Sequence, residues 1–151
     1  MRYIGLALVA SAVVLNACGG GDKAPDSTQA AVVVAAMPIT GATVVVDMIS
    51  DGNLFKFVPV DITIKSGDGV NFVTKSGNPH NVAFNPMDLP PDVRAQLKAN
   101  MTDQSAELQS PILPNIGDSY IISFGGVKPG KYAVLCPLHI AQGMRGTITV
   151  Q

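Results

Sequence analysis

Tryptophan is absent from this chain of 151 residues, and histidine occurs only twice. Charged residues make up 14% of the sequence, and lysine and arginine are scattered along a chain whose net charge is -1. A nucleic-acid surface needs a concentrated basic patch, so this distribution argues against nucleic-acid binding. Hydrophobic residues reach 47%, which is too many for an intrinsically disordered protein.

Glycine, proline and β-branched residues are plentiful instead, with 15 glycines and 11 prolines. This composition favours short strands joined by turns over helices. The length of the chain predicts one domain plus some accessory sequence.

The first 17 residues are predicted to be a signal peptide. Arg2 provides a minimal positive start, and the apolar stretch YIGLALVASAVVL that follows is short for a membrane span. It ends in LNAC, which resembles the lipobox of bacterial lipoproteins, where a leucine lies three positions before a cysteine. The resemblance implies cleavage before Cys18 and a lipid on that cysteine. The alternatives are an ordinary signal peptide and an uncleaved anchor.

Residues 18–37 are predicted to be a flexible tether, because GGGDKAPDSTQA is rich in glycine and polar residues. The apolar run AVVVAAM at 31–37 is ambiguous between an edge strand and the end of the tether. The folded domain is placed at 38–151. Removal of residues 1–17 takes away only Arg2, which leaves 9 basic and 11 acidic residues and a net charge of -2. Because of the predicted signal peptide and the lipid on Cys18, the protein is expected outside the cytoplasm, on the periplasmic side, as a membrane-anchored monomer.

The domain is predicted to be all-β, because apolar and polar residues alternate between glycine and aspartate turns. One short helix is expected in a mid-chain excursion at 88–100, where Val93 and Leu97 have helical spacing. About seven strands in a hundred residues predict a Greek-key β-sandwich. The strand candidates are 42–49, the alternating stretch 54–74, 80–84, 119–124, 130–136 and 145–150.

Cys136 needs an explanation, because it has no disulfide partner if Cys18 carries a lipid. The thiol could be a buried inert residue, a reactive nucleophile or a metal ligand. By itself, a lone cysteine at a strand end is more often structural.

The residues that follow Cys136 favour the metal ligand. CPLHIAQGM has the form C-x2-H-x4-M, so a thiolate, an imidazole and a thioether fall within one loop after a strand. These ligand types favour copper over hard cations. The only other histidine, His80, can supply a fourth ligand. Two imidazoles and a thiolate with a weak axial thioether form a blue-copper electron-transfer site, here His80, Cys136, His139 and Met144 around one copper ion.

The domain resembles the blue copper proteins, the cupredoxins, and among them plastocyanin. The resemblance covers most of 44–151 and rests on FKFVPVDITIKSGDGVNFV, PHNVAF, LPPDV and GKYAVLCPLHIAQGMRGTITV. It implies the same four copper ligands, and it implies that hydrogen bonds of Asn81 tie the two ligand loops together. It also implies a Cu(I)/Cu(II) electron carrier that is not an enzyme. Its redox partners, of the cytochrome or copper oxidoreductase type, would dock on an apolar patch beside His139, with Leu138, Ile140, Pro79 and Met87 as the candidates for that patch.

Two positions depart from plant plastocyanins. Leu135 stands where those proteins have a tyrosine at a second electron-entry site, and the acidic clusters around that tyrosine are missing, which argues against an acidic docking patch. Pro137 directly after Cys136 removes one backbone N–H near the sulfur.

Other functions use the same residues differently. A copper chaperone or storage lipoprotein could have the same ligands, but its metal would be exposed and exchangeable. Nitrite reductases and multicopper oxidases need more histidines than the two present here. A cysteine hydrolase with His139 as its base is disfavoured by the tight loop between the two residues.

Overall fold

The computed structural model describes residues 34–151. The predictions for the signal peptide, for Cys18 and for most of the tether lie outside the described residues. Residues 34–151 belong to one structural unit.

Two β-sheets form the domain. The strands are β1 (Thr43–Asp51), β2 (Leu54–Val58), β3 (Asp61–Ile64), β4 (Gly69–Thr74), β5 (Ser119–Ser123), β6 (Gly130–Leu135) and β7 (Arg145–Val150). One sheet has the order β2-β1-β4-β5, and the other has the order β3-β7-β6. Each sheet contains one parallel pair, β1 with β4 and β3 with β7, and the remaining pairs are antiparallel. The predicted all-β sandwich with one short helix is confirmed.

The core lies on the inward-facing alternate positions of these strands. On β2, Phe57 is fully buried while Phe55 is only half buried and packs at the margin of the core. The aromatic rings of Phe57 and Phe72 meet edge to face at 5.6 Å between centroids. Phe55 therefore lies where the core meets one end of the sandwich.

The helix begins later than the sequence predicts. Residues Pro86–Asp88 form a 3-10 helix, and helix α1 covers Pro91–Asn100. Leu89 and Pro90 are extended between them, because a residue that precedes proline is sterically disfavoured in the helical region. As predicted, α1 directs Val93 and Leu97 into the core. No helix among residues 34–151 is long and apolar enough to cross a membrane.

The strand predicted at 80–84 is replaced by isolated β-bridges at His80 and Ala83. The segment is extended, but two of its amides donate to side chains and not to a neighbouring strand. The N–H of Asn81 points at Cys136 Sγ, and the N–H of Val82 donates to Ser110 Oγ at 2.9 Å. The sequence pattern is that of a strand, but two of the five amides in this segment bind side chains, and the other three donate to backbone carbonyls.

Asn100, at the end of α1, ties the first described residues to the domain. Its Oδ1 accepts hydrogen bonds from the Met37 amide at 2.8 Å and from Gln96 Nε2 at 2.9 Å. Its Nδ2 donates to the carbonyls of Ser123 and Gly125 at 2.9 and 2.8 Å. The amides of the next few residues, 40 and 41, donate to a single carbonyl in the β3–β4 turn. All of these contacts lie at the end of the sandwich where β1 begins.

We expect Asn100→Ala to lower the free energy of unfolding of the metal-free domain by about 2–3 kcal/mol, because it leaves buried backbone groups without partners. Denaturant unfolding measures the change. The control is Asn53→Ala, in the exposed β1–β2 turn, which should change stability by less than about 0.5 kcal/mol. Equal effects of the two substitutions would contradict the role assigned to Asn100.

Candidate metal centre

The structure brings three predicted ligands together at one end of the sandwich. The side-chain atoms of His80, Cys136 and His139 that can bind a metal all lie within 4.8 Å of one another. Cys136 follows β6 directly, and His139 lies in a 3-10 helix at Pro137–Gln142 that is kinked at this histidine. His80 reaches the same place from the extended segment after β4. Residues far apart in the sequence therefore converge on one site.

His80 is fully buried, and one hydrogen bond fixes its orientation. Its Nε2 lies 2.8 Å from the carbonyl oxygen of Ser76, which can only accept, so Nε2 carries the proton. The other nitrogen, Nδ1, is then an unprotonated acceptor, and it is buried without any hydrogen-bond partner within residues 34–151. A buried polar atom without a partner is costly in free energy. A metal ion bound to Nδ1 satisfies it.

Cys136 is a buried free thiol that contacts both other ligand segments. The N–H of Asn81 donates to Sγ at 3.5 Å, the thiol donates to Asn81 Oδ1 at 3.4 Å, and His139 Nδ1 lies 3.6 Å from Sγ. Asn81 thus connects the His80 segment to the Cys136 loop.

Burial raises the pKa of the Cys136 thiol, because a thiolate loses solvation in the interior. Backbone N–H groups of Asn81, His139 and Leu138 partly offset this rise. A coordinated metal ion would act in the same direction as these N–H groups, outweigh the effect of burial and hold the sulfur as a thiolate.

The loop after β6 is closed by its own backbone. The Cys136 amide donates to the Met144 carbonyl at 3.2 Å, the His139 amide donates to the Cys136 carbonyl at 3.0 Å, and the Met144 amide donates to the His139 carbonyl at 3.2 Å. Gly143 makes the sharp turn in the left-handed region, with φ of 81°. Met144 is fully buried beneath this loop. The C-x2-H-x4-M spacing is therefore the spacing of one hydrogen-bonded turn.

Phe55 is a site residue that the sequence analysis placed only within the alternating strand stretch 54–74. Its ring stacks on the His139 imidazole with 3.7 Å between centroids and 10° between planes. It also meets His80 edge to face at 6.1 Å, while the two imidazoles are 4.9 Å apart. No spacing rule could have paired residues so distant in the sequence. The alternation on β2 indicated only that Phe55 faces inward.

Both imidazoles are kept neutral by their surroundings. Burial lowers the pKa of His80, although the bond to Ser76 acts in the opposite direction. Burial also lowers the pKa of His139, and repulsion from a charged His80 lowers it further. Neutral imidazole is the form that binds metals, so the site is prepared for a metal ion at neutral pH.

The residues present fit copper. Two imidazole nitrogens and one thiolate suit a soft or borderline transition metal, and the cluster contains no carboxylate, which magnesium or calcium would require. Of the nitrogen and oxygen atoms of this cluster, only His80 Nδ1 is buried without a hydrogen-bond partner within residues 34–151, and a metal ion would supply that partner.

The lowered histidine pKa values predict how the stability of the metal-free domain depends on pH. Below about pH 6.5 the unfolded chain binds more protons than the folded one, so stability falls as the pH falls. We expect a steady loss between about pH 7.5 and 5.5, measured by urea unfolding, and a smaller loss in His80→Gln. Carboxylates with lowered pKa values, such as Asp51 and Glu107, titrate below this window. Constant stability across the window would contradict the prediction.

Comparison with known proteins agrees with this geometry. A family profile described as "Copper binding proteins, plastocyanin/azurin family" matches residues 44–151. A chloroplastic plastocyanin of Chlamydomonas reinhardtii is 34% identical over 128 residues, covering 83% of this chain and 81% of that protein. A plastocyanin of Scenedesmus fuscus is 33% identical over 108 residues, covering 72% of this chain and 99% of that protein.

Among solved structures, the oxidised plastocyanin of the fern Dryopteris crassirhizoma matches with a TM-score of 0.57 and 30% identity. The match covers 71% of this chain and 99% of the fern protein. The profile spans most of the described residues and includes every residue of the cluster. Copper is therefore the cofactor of this site, and the chain belongs to the plastocyanin/azurin family of copper-binding proteins.

Proposed function

We propose that this chain is a one-copper electron carrier of the blue-copper type, with His80, Cys136, His139 and Met144 as its ligands. The observation that carries the proposal is the buried, unpaired Nδ1 of His80 beside the Cys136 thiol and the His139 imidazole. Met144 is the proposed axial ligand, because it is buried and hydrogen-bonded to the other two ligands of its loop.

Copper, when bound, supplies a couple between Cu(I) and Cu(II). The chain supplies a frame that holds the ligand atoms in nearly the same place for both states. The amides and carbonyls of Ala83 and Leu135 exchange hydrogen bonds at 2.8 and 2.9 Å, which joins the His80 segment to the end of β6. With four protein ligands no position is left for a substrate, so the site transfers electrons and catalyses no bond chemistry.

Burial of the ligands favours a carrier over the alternative, a copper chaperone or storage protein. His80, Cys136 and Met144 have no exposed surface, and His139 is the only partly exposed member of the proposed set. A chaperone must release its ion to a partner, which requires ligands that the partner can reach. Electron transfer needs only one ligand edge near the surface, and His139 provides it.

The proposed docking surface is the apolar end around His139. The segments that meet here are joined by hydrogen bonds, such as those between His80 and Leu113 and from Asn78 Nδ2 to the Pro114 carbonyl. Exposed apolar residues on these segments are Leu54, Pro79, Ile112, Ile116 and Leu138, and Ile140 is half exposed. Small apolar contacts suit brief encounters with cytochrome or copper redox partners. Met87, also expected in the patch, is 85% exposed but lies in the separate 3-10 helix.

The proposed location is outside the cytoplasm, on the periplasmic side, with the chain held at a membrane through a lipid on Cys18. LNAC and the apolar stretch before it support this proposal. The proposed organisation is a signal peptide at 1–17, a tether at 18–37 and a copper domain at 38–151.

Copper loading tests the ligand set directly. We expect the chain from residue 31 onward, loaded with Cu(II), to show an intense thiolate-to-copper absorption band and narrow copper hyperfine splitting in electron spin resonance. Cys136→Ser should lose the band, because a hydroxyl is not a thiolate donor. Asn53→Ala is the control and should keep the band, because Asn53 is an exposed turn residue outside the proposed ligand set. A wild-type protein without the band would overturn the proposed function.

Electron self-exchange between oxidised and reduced copies tests the docking surface without an identified partner. We expect Leu138→Asp to slow self-exchange, measured by NMR line broadening, by roughly ten-fold at low salt, since two like charges then meet in the encounter. Ile121→Asp is the matched control: Ile121 is 48% exposed, compared with 43% for Leu138, but it lies on β5. If both variants slow the exchange equally, the surface around His139 is not the docking site.

A further inference from the structure

The two histidines of the metal centre are held in different ways. The carbonyl of Ser76 accepts a hydrogen bond from His80 and thereby fixes the plane of its ring. His139 has no comparable bond: within residues 34–151, its ring nitrogens make only the contact to Cys136 Sγ. The His139 ring is also the partly exposed one, so less protein surrounds it. Something else must fix its orientation.

The ring of Phe55 lies against the face of His139. A centroid distance of 3.7 Å with 10° between the planes is a close parallel stack. Such a stack restricts rotation of the imidazole about its Cβ–Cγ bond, because a rotated ring would collide with the phenyl face. The same phenyl ring meets His80 edge to face. Phe55 therefore limits the movement of one imidazole and borders the other.

The position of Phe55 is itself fixed by its surroundings. It pairs with Ser50 across β1 and β2, and its side chain packs against the buried core. Gly77 leaves room for the ring, since a Cβ at Gly77 would lie 2.9 Å from Phe55 Cε1 and 2.3 Å from Ser50 Cβ. The phenyl ring thus occupies a slot that exists only because residue 77 has no side chain.

One short loop therefore controls both imidazoles. Ser76 Oγ accepts from the Ser50 amide at 2.9 Å and donates to the Ser50 carbonyl at 3.3 Å, which fixes the loop to the end of β1. The carbonyl of Ser76 then orients His80, and the adjacent Gly77 leaves the space that Phe55 fills. Through Phe55 the same loop reaches His139.

We propose that Phe55 is a positioning residue for the metal centre, which fixes the ring of His139 by stacking so that Nδ1 faces Cys136 Sγ. Phe55 does for His139 what the Ser76 carbonyl does for His80. It contacts the ligand and binds no metal itself. The consequence for copper rests on the proposed function, whereas the restriction of the ring holds in the metal-free protein as well.

The metal-free protein gives the first test, by NMR of the His139 ring at about pH 8, above the ordinary imidazole pKa. In the wild type, the phenyl ring current should shift the carbon-bound protons of His139 upfield. Phe55→Leu should return these signals towards free histidine and broaden them, while Phe55→Tyr should keep them shifted. Phe124→Leu is the matched control, because Phe124 is a fully buried core phenylalanine that stacks on no histidine.

The copper-loaded protein gives the second test, by the rate at which a strong chelator removes Cu(I). We expect Phe55→Leu to release copper about two-fold to ten-fold faster than the wild type, as the loss of one aromatic contact predicts. Phe55→Tyr should restore the slow rate, and Phe124→Leu should release copper at the wild-type rate. The unfolding stability of both leucine variants is measured as well, so that faster release caused by unfolding is recognised.

The outcomes separate the two proposals. Unchanged His139 signals in Phe55→Leu, or copper release no faster than in Phe124→Leu, would overturn the positioning role. Failure of Phe55→Tyr to restore the wild-type behaviour would overturn it too, since a phenol ring stacks as a phenyl ring does. A wild type with no blue band would instead overturn the electron-carrier proposal, and the metal-free NMR result would still decide the role of Phe55.

Discussion

The hydrogen bond from His80 Nε2 to the carbonyl of Ser76 is the interaction on which the metal centre depends. It places the proton on one side of a fully buried imidazole and leaves the lone pair of Nδ1 facing the other ligands. Without this bond the ring could rotate or change tautomer, and Nδ1 would no longer present its lone pair to the metal site. Burial of Nδ1 without a hydrogen-bond partner destabilises the metal-free fold, and coordination of copper by this nitrogen offsets that cost.

The sandwich makes this arrangement rigid by joining segments that are far apart in the sequence. Asn81 and Cys136 are separated by 55 positions, yet the Asn81 N–H donates to Cys136 Sγ and the Cys136 thiol donates to Asn81 Oδ1. The exchange of backbone bonds between Ala83 and Leu135 lies next to them. The two ligand segments therefore move together or not at all, which keeps the reorganisation small when an electron enters or leaves.

The sequence allowed a set of ligands to be proposed because their chemistry is rare and local. With two histidines in the chain, and one of them in C-x2-H-x4-M, few sets of ligands were possible. Alternation likewise predicted the strands and the fold class. What escaped prediction depends on contacts between distant residues. Phe55 follows the pattern of any core position, and only the tertiary structure shows that its ring covers His139.

The departures in local structure have the same origin. The segment 80–84 has the pattern of a strand, but two of its amides donate to the side chains of Cys136 and Ser110. The sequence pattern predicts that these residues are extended and apolar, but it cannot predict which group accepts the hydrogen bond of each N–H. Two adjacent prolines delay α1, and this effect is local and could have been predicted from Pro90 and Pro91.

The contacts of Asn100 have a consequence for how the domain is presented. The chain enters the fold at Met37 and passes into β1 at the end opposite His139. Nine residues of β1 separate the two ends by about 30 Å. Any attachment through the N-terminal residues would therefore act on the end of the sandwich that carries no copper ligand. The proposed lipid on Cys18 would therefore hold the domain by the end opposite the copper site and leave the copper end open to a redox partner.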